Sequence, residues 1–225
     1  VRPRATAAFF RAEGVLLDRG VVSAAAYMAS NRAGFRERAF HLGVAALAAP
    51  VHGLLGQTDR TFGNRLAHLA FRKMTEDRVE LLAEEYVEDV LKDRILHSGV
   101  ELLKRAKKAG HRTVVLSEGV SAIMDKLLPH IRHVDELICN RLEIRDGEAT
   151  GKLEEPVVGG YEGGRWVRDY AREHELDLDR SVAYGAHGPD VLLLAAVGDP
   201  CAVNADYALR KAAREAGWAL LDYDA

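Results

Sequence analysis

The sequence predicts an α/β protein: a Rossmann-like core of parallel strands with an all-helical cap inserted after the first strand. Three observations carry this. Short apolar runs alternate with amphipathic stretches at the start of the chain and again from about residue 97 onward. Such alternation builds a parallel sheet with helices on both faces. Those apolar runs are short and bounded by turn residues, as strands buried on both faces are. Between them, residues 21–96 show helical periodicity and almost no strand signal. There Val79, Leu82, Ala83 and Tyr86 recur three and four apart, with acids and bases between. The expected division is a core from 1–20 and 97–225 and a cap from 21–96.

The first strand is expected over Ala5 to Phe10, with Glu13-Gly14 turning the chain out of it. After the helical block, Ser98 is a candidate N-cap for a helix to Lys108, with Glu101 in the capping-box position. Gly110 ends that helix, and the β-branched run His111 to Leu116 is the second core strand. A helix over Val120 to Leu128 follows. Leu137 to Arg141 and Leu142 to Ile144 are short strand candidates, and Asp146-Gly147 is a hairpin-type turn. Then come a helix from Gly163 to Glu173, a strand from Ser181 to Tyr184 and a helix from Pro189 to Val197. A strand from Cys201 to Asn204, a helix from Ala205 to Ala216 and a strand from Trp218 to Leu221 complete the pattern. In such sheets the site lies beyond the carboxyl ends of the strands. That directs attention to the loops after Phe10, Leu116 and Tyr184.

Composition narrows the function classes. With 225 residues, 48% hydrophobic and 29% charged, the chain is ordinary for a globular protein that needs no staple. A net charge of −3, with both signs dispersed, argues against nucleic acid as partner. The two cysteines, Cys139 and Cys201, lie far apart, so a disulfide framework is not expected and a reducing cytoplasm is the simpler location. No signal peptide is read at the start. The longest apolar stretch, Leu42 to Gly56, contains Pro50 and His52 and falls short of the ~20 residues of a membrane span. It is expected to be buried or to face a partner.

Four segments resemble one known family. Ala7 to Leu17, an apolar strand followed by Arg11-Ala12-Glu13-Gly14-Val15, is similar to the first motif of the haloacid dehalogenase superfamily, which reads Asp-x-Asp-Gly-Thr. Val114 to Ser117 resembles the second motif, a strand ending in Ser or Thr. Ala183 to Asp190 resembles the fourth, Gly-Asp-Ser-x-x-Asp. Ala195 to Asp206 resembles a segment of the phosphoserine-phosphatase-like branch, subfamily IB. Order and spacing agree over nearly the whole chain. The resemblance implies a HAD-like fold, Mg²⁺ and phosphoryl transfer through an aspartyl intermediate.

The residues depart from that chemistry. Arg11 stands where the resemblance implies the nucleophilic Asp, and a guanidinium that stays protonated is no nucleophile. Glu13 stands at the general acid–base position, Val15 at the Thr, and Ala186 at a metal-ligand Asp. Asp190 alone remains of the fourth-motif acids, and Arg165 is the best match to the third-motif Lys. The expectation is no intact catalytic set, no metal site and no cofactor, since the ligands the family uses for Mg²⁺ are mostly lost. The remaining pocket is expected to include Glu13, Gly14, Glu118, Gly185, His187 and Asp190. Arg11, Ser117 and Arg165 are candidates for binding a phosphate or another anion. The competing reading has Arg11 paired with Glu13 or Asp190 as a structural plug.

The functional expectation is a catalytically impaired phosphatase homologue, retained for anion binding, scaffolding or a protein partner at the cap. Two alternatives stand beside it. One is a divergent phosphomonoester hydrolase using Glu13. The other is a domain of a larger lipid-modifying protein, docking through the apolar cap stretch. His130 and His133 lack the further ligands of a zinc site, and Lys104-Arg105 with Lys107-Lys108 complements a helix end. The glycine pairs at 159–160 and 163–164 lack phosphate-loop spacing.

Overall fold

A computed structural model of the chain describes residues 5–31, 39, 42, 43, 46 and 61–223 (of 61 and 62, the backbone alone). Its centre is a six-stranded parallel sheet. The strands are β1 (Ala7–Arg11), β2 (Arg112–Val120), β3 (Glu136–Asn140), β6 (Val182–Gly185), β7 (Asp199–Val203) and β8 (Ala219–Leu221). Their order is β3-β2-β1-β6-β7-β8. The progression therefore reverses at β1, which pairs in parallel register with β2 on one side and β6 on the other.

β1 is buried along its whole length because both faces are covered. Ala8 and Phe10 join one apolar core, while Ala7 and Phe9 join the other. That is the period-2 alternation of a central strand. Phe10 stacks on Tyr184 at 4.5 Å between ring centres, and Phe9 meets Tyr170 edge-on at 6.0 Å. Helices α4 (His97–Lys108), α5 (Ser121–Ile131), α6 (Gly163–Glu173), α7 (Val191–Leu194) and α8 (Tyr207–Ala216) flank the sheet. Helices α1 (Val21–Ser30), α2 (Thr61–His68) and α3 (Glu76–Tyr86) form the helical layer over its carboxyl end, extended by a π turn over Val87–Leu91.

Several local expectations are corrected. Ser98 does not cap α4: the helix starts at His97, after an extended Leu96 with no side-chain cap. The helix expected over 189–197 is shorter, a 3₁₀ turn over Gly188–Asp190 followed by α7. Gly198 lies so close to the Asp179 carbonyl that an added Cβ would sit 1.9 Å from it. The chain must leave the helix to make that approach. Asp146-Gly147 does form a hairpin turn, with both residues at positive φ. It joins β4 (Leu142–Arg145) to β5 (Glu148–Leu153), an antiparallel pair outside the main sheet. This hairpin bonds to the helical layer: Lys73 N–H donates to the Ala149 carbonyl, Ala149 N–H to Met74, and Glu76 N–H to Gly147. The apolar stretch 42–56 lies outside the described residues except for Leu42, Gly43 and Ala46.

The loop after β1 is held by backbone contact. Gly99 of α4 passes so near it that a Cβ there would be 2.0 Å from the Val15 carbonyl oxygen. That same oxygen accepts from the Tyr223 hydroxyl at 2.5 Å. Gly99→Ala is expected to destabilise the chain by about 1–3 kcal/mol, because backbone rather than a flexible side chain must give way. Urea unfolding would show a lower midpoint with an unchanged slope. A midpoint equal to that of the parent would refute the rigid contact.

Candidate functional site

The carboxyl ends of β1, β2 and β6 converge on one buried charge cluster. Arg11, the last residue of β1, is 2% exposed. Its Nη2 lies 2.5 Å from Glu118 Oε1 and its Nε lies 3.0 Å from Asp190 Oδ1. Both carboxylates are also buried. Glu118 comes from the end of β2, which outruns its β1 partner at Leu116. Asp190 is held by the loop after β6, accepting from the backbone N–H of Ala186 at 2.9 Å and of His187 at 3.0 Å. The burial of Arg11 alone would lower its pKa, but Asp190, Glu118 and Glu13 outweigh this and raise it. The guanidinium is fully charged.

Glu13 does not pair directly with Arg11. Its Oε1 accepts from Ser117 Oγ at 2.6 Å and from Glu118 N–H at 3.0 Å. Its Oε2 is buried with no hydrogen-bond partner among the described residues. Burial pushes the Glu13 carboxyl above its ordinary value; Arg11 opposes this and Glu118 adds to it. Gly14, at φ 84°, lets the loop pass against the β6 loop, since a Cβ there would be 2.5 Å from Ala186 Cβ. Asn140, at the end of β3, donates from Nδ2 to the carbonyls of Glu118 and Val158 and accepts Val158 N–H at 2.7 Å. It fixes the backbone that carries Glu118.

The candidate anion set is not assembled. Arg165 lies on the far face of α6, 74% exposed, 3.6 Å from Asp169 and 3.8 Å from Glu162. The reason is packing: Gly163 and Gly164 bring α6 against α7, where a Cβ on Gly164 would meet the Leu192 carbonyl at 2.4 Å. Arg165 is thereby turned outward. The Ser117 hydroxyl donates to Glu13, and Arg11 is engaged by two carboxylates. Gly185 is close-packed on Asp190, and His187 Nδ1 lies 3.9 Å from Asp190 Oδ2.

The same geometry tests the Mg²⁺ that the fold implies. Two of the carboxylates nearest the end of β1 already hold a guanidinium, and a cation among them opposes a second. No cluster of three His, Cys, Asp or Glu suited to a metal occurs among the described residues. The residues present do not fit the ion. His130 instead pairs with Glu88 at 3.2 Å, and Cys139 and Cys201 are free thiols that burial pushes up to about 12 and 11.

Above the cluster, between sheet and helical layer, is a cavity of about 30 Å³ lined by Glu13, His68, Phe71, Tyr86, Ile123 and Met124 among others. His68 is buried, and its Nδ1–H donates to the Asn64 carbonyl at 2.6 Å. Burial lowers its pKa to about 4, so the ring is neutral. Asn64 and His68 were not anticipated as site residues. Their signal is a polar pair four apart in an otherwise amphipathic helix, which places both on one face.

The family model for haloacid dehalogenase-like hydrolases matches residues 16–195. The chain belongs to the haloacid dehalogenase-like hydrolases. It is 29% identical over 147 residues to an inhibition of morphological differentiation protein of Streptomyces azureus, covering 65% of this chain and 52% of the relative. It is 30% identical over 149 residues to a phosphoserine phosphatase of Archaeoglobus fulgidus, covering 64% and 43%. The chain thus spans about half or less of these curated relatives. A Bordetella pertussis protein of unknown function shares the fold at a TM-score of 0.82 and 22% identity, covering 97% of this chain and 99% of that one. An apo phosphoserine phosphatase does so at 0.71 and 16%, covering 98% and 94%. Among the described residues no helix of this haloacid dehalogenase-like chain is long and apolar enough to cross a membrane.

Proposed function

We propose that this chain is a catalytically silent member of the haloacid dehalogenase-like family. A buried arginine–carboxylate cluster stands where the nucleophile and metal would act, and the protein works by binding or assembly. The observation that carries this is Arg11, buried at the end of β1 and paired with Glu118 and Asp190. Phosphoryl transfer of this kind rests on positioning and on a metal that neutralises charge. A guanidinium at the strand end supplies no nucleophile, and its charge opposes Mg²⁺. Relatives described as phosphoserine phosphatases support phosphomonoester chemistry as the background from which the site departs.

The test is an assay of the purified chain with Mg²⁺ on phosphoserine, p-nitrophenyl phosphate and lysophosphatidate. No turnover above buffer is expected. Mg²⁺-dependent turnover of about 1 s⁻¹, the low end of ordinary enzymes, would overturn the reading. The raised carboxyl of Glu13 beside a cavity favours one competitor, a hydrolase using Glu13 as general acid. Turnover lost in Glu13→Gln and indifferent to Mg²⁺ would establish that competitor instead.

A further inference from the structure

Three large apolar side chains stand exposed on one flank of the sheet. Helix α7 carries three leucines in a row, and at about 100° per residue a helix cannot turn all of them inward. Leu193 and Leu194 are wholly buried, and Leu192 is left 44% exposed. α7 packs between α6 and α8. Tyr207, the first residue of α8, is 79% exposed. It is held beside the turn that leads into α7. Its neighbour Asp206 accepts from Gly188 N–H at 3.0 Å while capping α8 at Leu209 N–H. On the α6 side, the 3₁₀ turn Gly160–Glu162 also packs on α7 and leaves Tyr161 exposed. Residues 191–198 carry no charge.

We propose that the chain pairs with a second copy of itself through this face, Leu192 against its mate on a two-fold axis with Tyr161 and Tyr207 around it. This rests on the reading that the protein works by assembly, and it uses nothing of the Arg11 cluster. A two-fold contact sets a patch against itself, so the patch must be self-complementary. The uncharged centre at α7 brings no like charges together. The tyrosines add hydroxyls that both donate and accept, and tyrosine is among the side chains that anchor interfaces. The rim charges also match. Glu162 follows Tyr161 on one side, and Lys211 stands one turn after Tyr207 on the other. A two-fold axis through Leu192 turns Glu162 of one copy toward Lys211 of its mate. Each is loosely held within its own chain, with Arg165 3.8 Å from Glu162 and Glu215 3.9 Å from Lys211. Leu81 on α3 is as exposed as Leu192 but fails the same condition. Asp77, Glu84 and Glu85 surround it against Arg78 alone, so that face repels its own copy. Three exposed side chains fall short of the roughly 800 Å² per partner of a standard interface, so the pair is weak and reversible.

The experiment is sedimentation velocity of the full chain over a concentration series. The average mass is expected to rise from one chain toward two between about 1 µM and 1 mM, with a Kd of about 10–100 µM. Leu192→Glu sets two carboxylates together at the centre and should weaken pairing about tenfold or more. Leu81→Glu, on a different face, should pair as the parent does. Lys211→Glu should weaken pairing about fivefold, because the two-fold axis counts the rim pair twice. Adding Glu162→Lys to that variant should restore it. The concentration series of the parent stands even if a variant does not fold. A mass that stays at one chain throughout overturns the proposal and leaves a different protein as the occupant of the face. Pairing that survives Leu192→Glu, or that Leu81→Glu abolishes, overturns the assignment to α7. A double charge swap as weak as Lys211→Glu alone overturns the two-fold arrangement. A monomer without phosphatase activity strikes this inference alone, and a dimer with Mg²⁺-dependent turnover strikes the silent reading alone.

Discussion

Arg11→Ala is expected to lower the stability of the folded chain by about 3–5 kcal/mol, the usual cost of removing one partner of a buried ion pair. The substitution removes the guanidinium that Glu118 and Asp190 both contact in the interior. Asp190 accepts two loop N–H groups, and the backbone carrying Glu118 is fixed by Asn140. The Asp190 carboxylate therefore cannot turn to solvent without unmaking the loop after β6. Arg11 is also among the largest fully buried side chains, so its loss opens a void as well. The electrostatic account is separable from the packing account. An Arg11→Met, Glu118→Gln, Asp190→Asn triple variant keeps the volume and removes the charges, and should recover most of the stability. Urea unfolding measures both. A loss below about 1 kcal/mol for Arg11→Ala would show that the cluster is not buried as described.

The second large effect is acid lability centred on His68. Its pKa is displaced from 6.5 to about 4, with burial the leading cause. The unfolded chain therefore takes up the proton first. The neutral ring's contribution is present above pH 6.5 and is lost as pH falls toward 4. A displacement of that size corresponds to about 3 kcal/mol. Glu13 acts in the opposite sense, because its raised pKa gives stability that is lost as pH rises. The informative quantity is thus the difference between parent and His68→Gln, whose amide can still donate to the Asn64 carbonyl. The parent should lose about 3 kcal/mol more than the variant between pH 7 and 4. Parallel pH profiles would mean that His68 is solvated in the folded state.

The core of this architecture was legible because its strands are short apolar runs at the only places where the helical periodicity breaks. The rule that ligands sit beyond strand carboxyl ends then pointed to Arg11, Ser117 and the 185–190 loop. What could not be read was side-chain direction. Arg11 had Glu13 and Asp190 as partners within reach in the sequence. The structure gives it Asp190 and Glu118, because Ser117 and the Glu118 N–H draw Glu13 away. Glu118 is one residue past the strand-ending Ser117, where a glutamate ordinarily faces water. Arg165 was placed by motif order, whereas its direction follows from the two glycines before it. β5 was missed because Glu148–Leu153 contains Gly151 and Lys152 and lacks apolar alternation. Its strand character comes from pairing with β4.

That hairpin has a mechanical consequence. Since β4 and β5 are bonded to residues 73–76, the described residues of the helical layer are tethered to the sheet by four stretches of chain rather than two. The first two, near residues 16–18 and 94–96, are themselves stapled by backbone bonds between Leu16 and Leu96 and between Asp18 and Arg94. The other two lead into and out of the hairpin. A single proteolytic nick in any one of them would leave three intact. The layer and the hairpin would have to swing as one body, with all four tethers bending together.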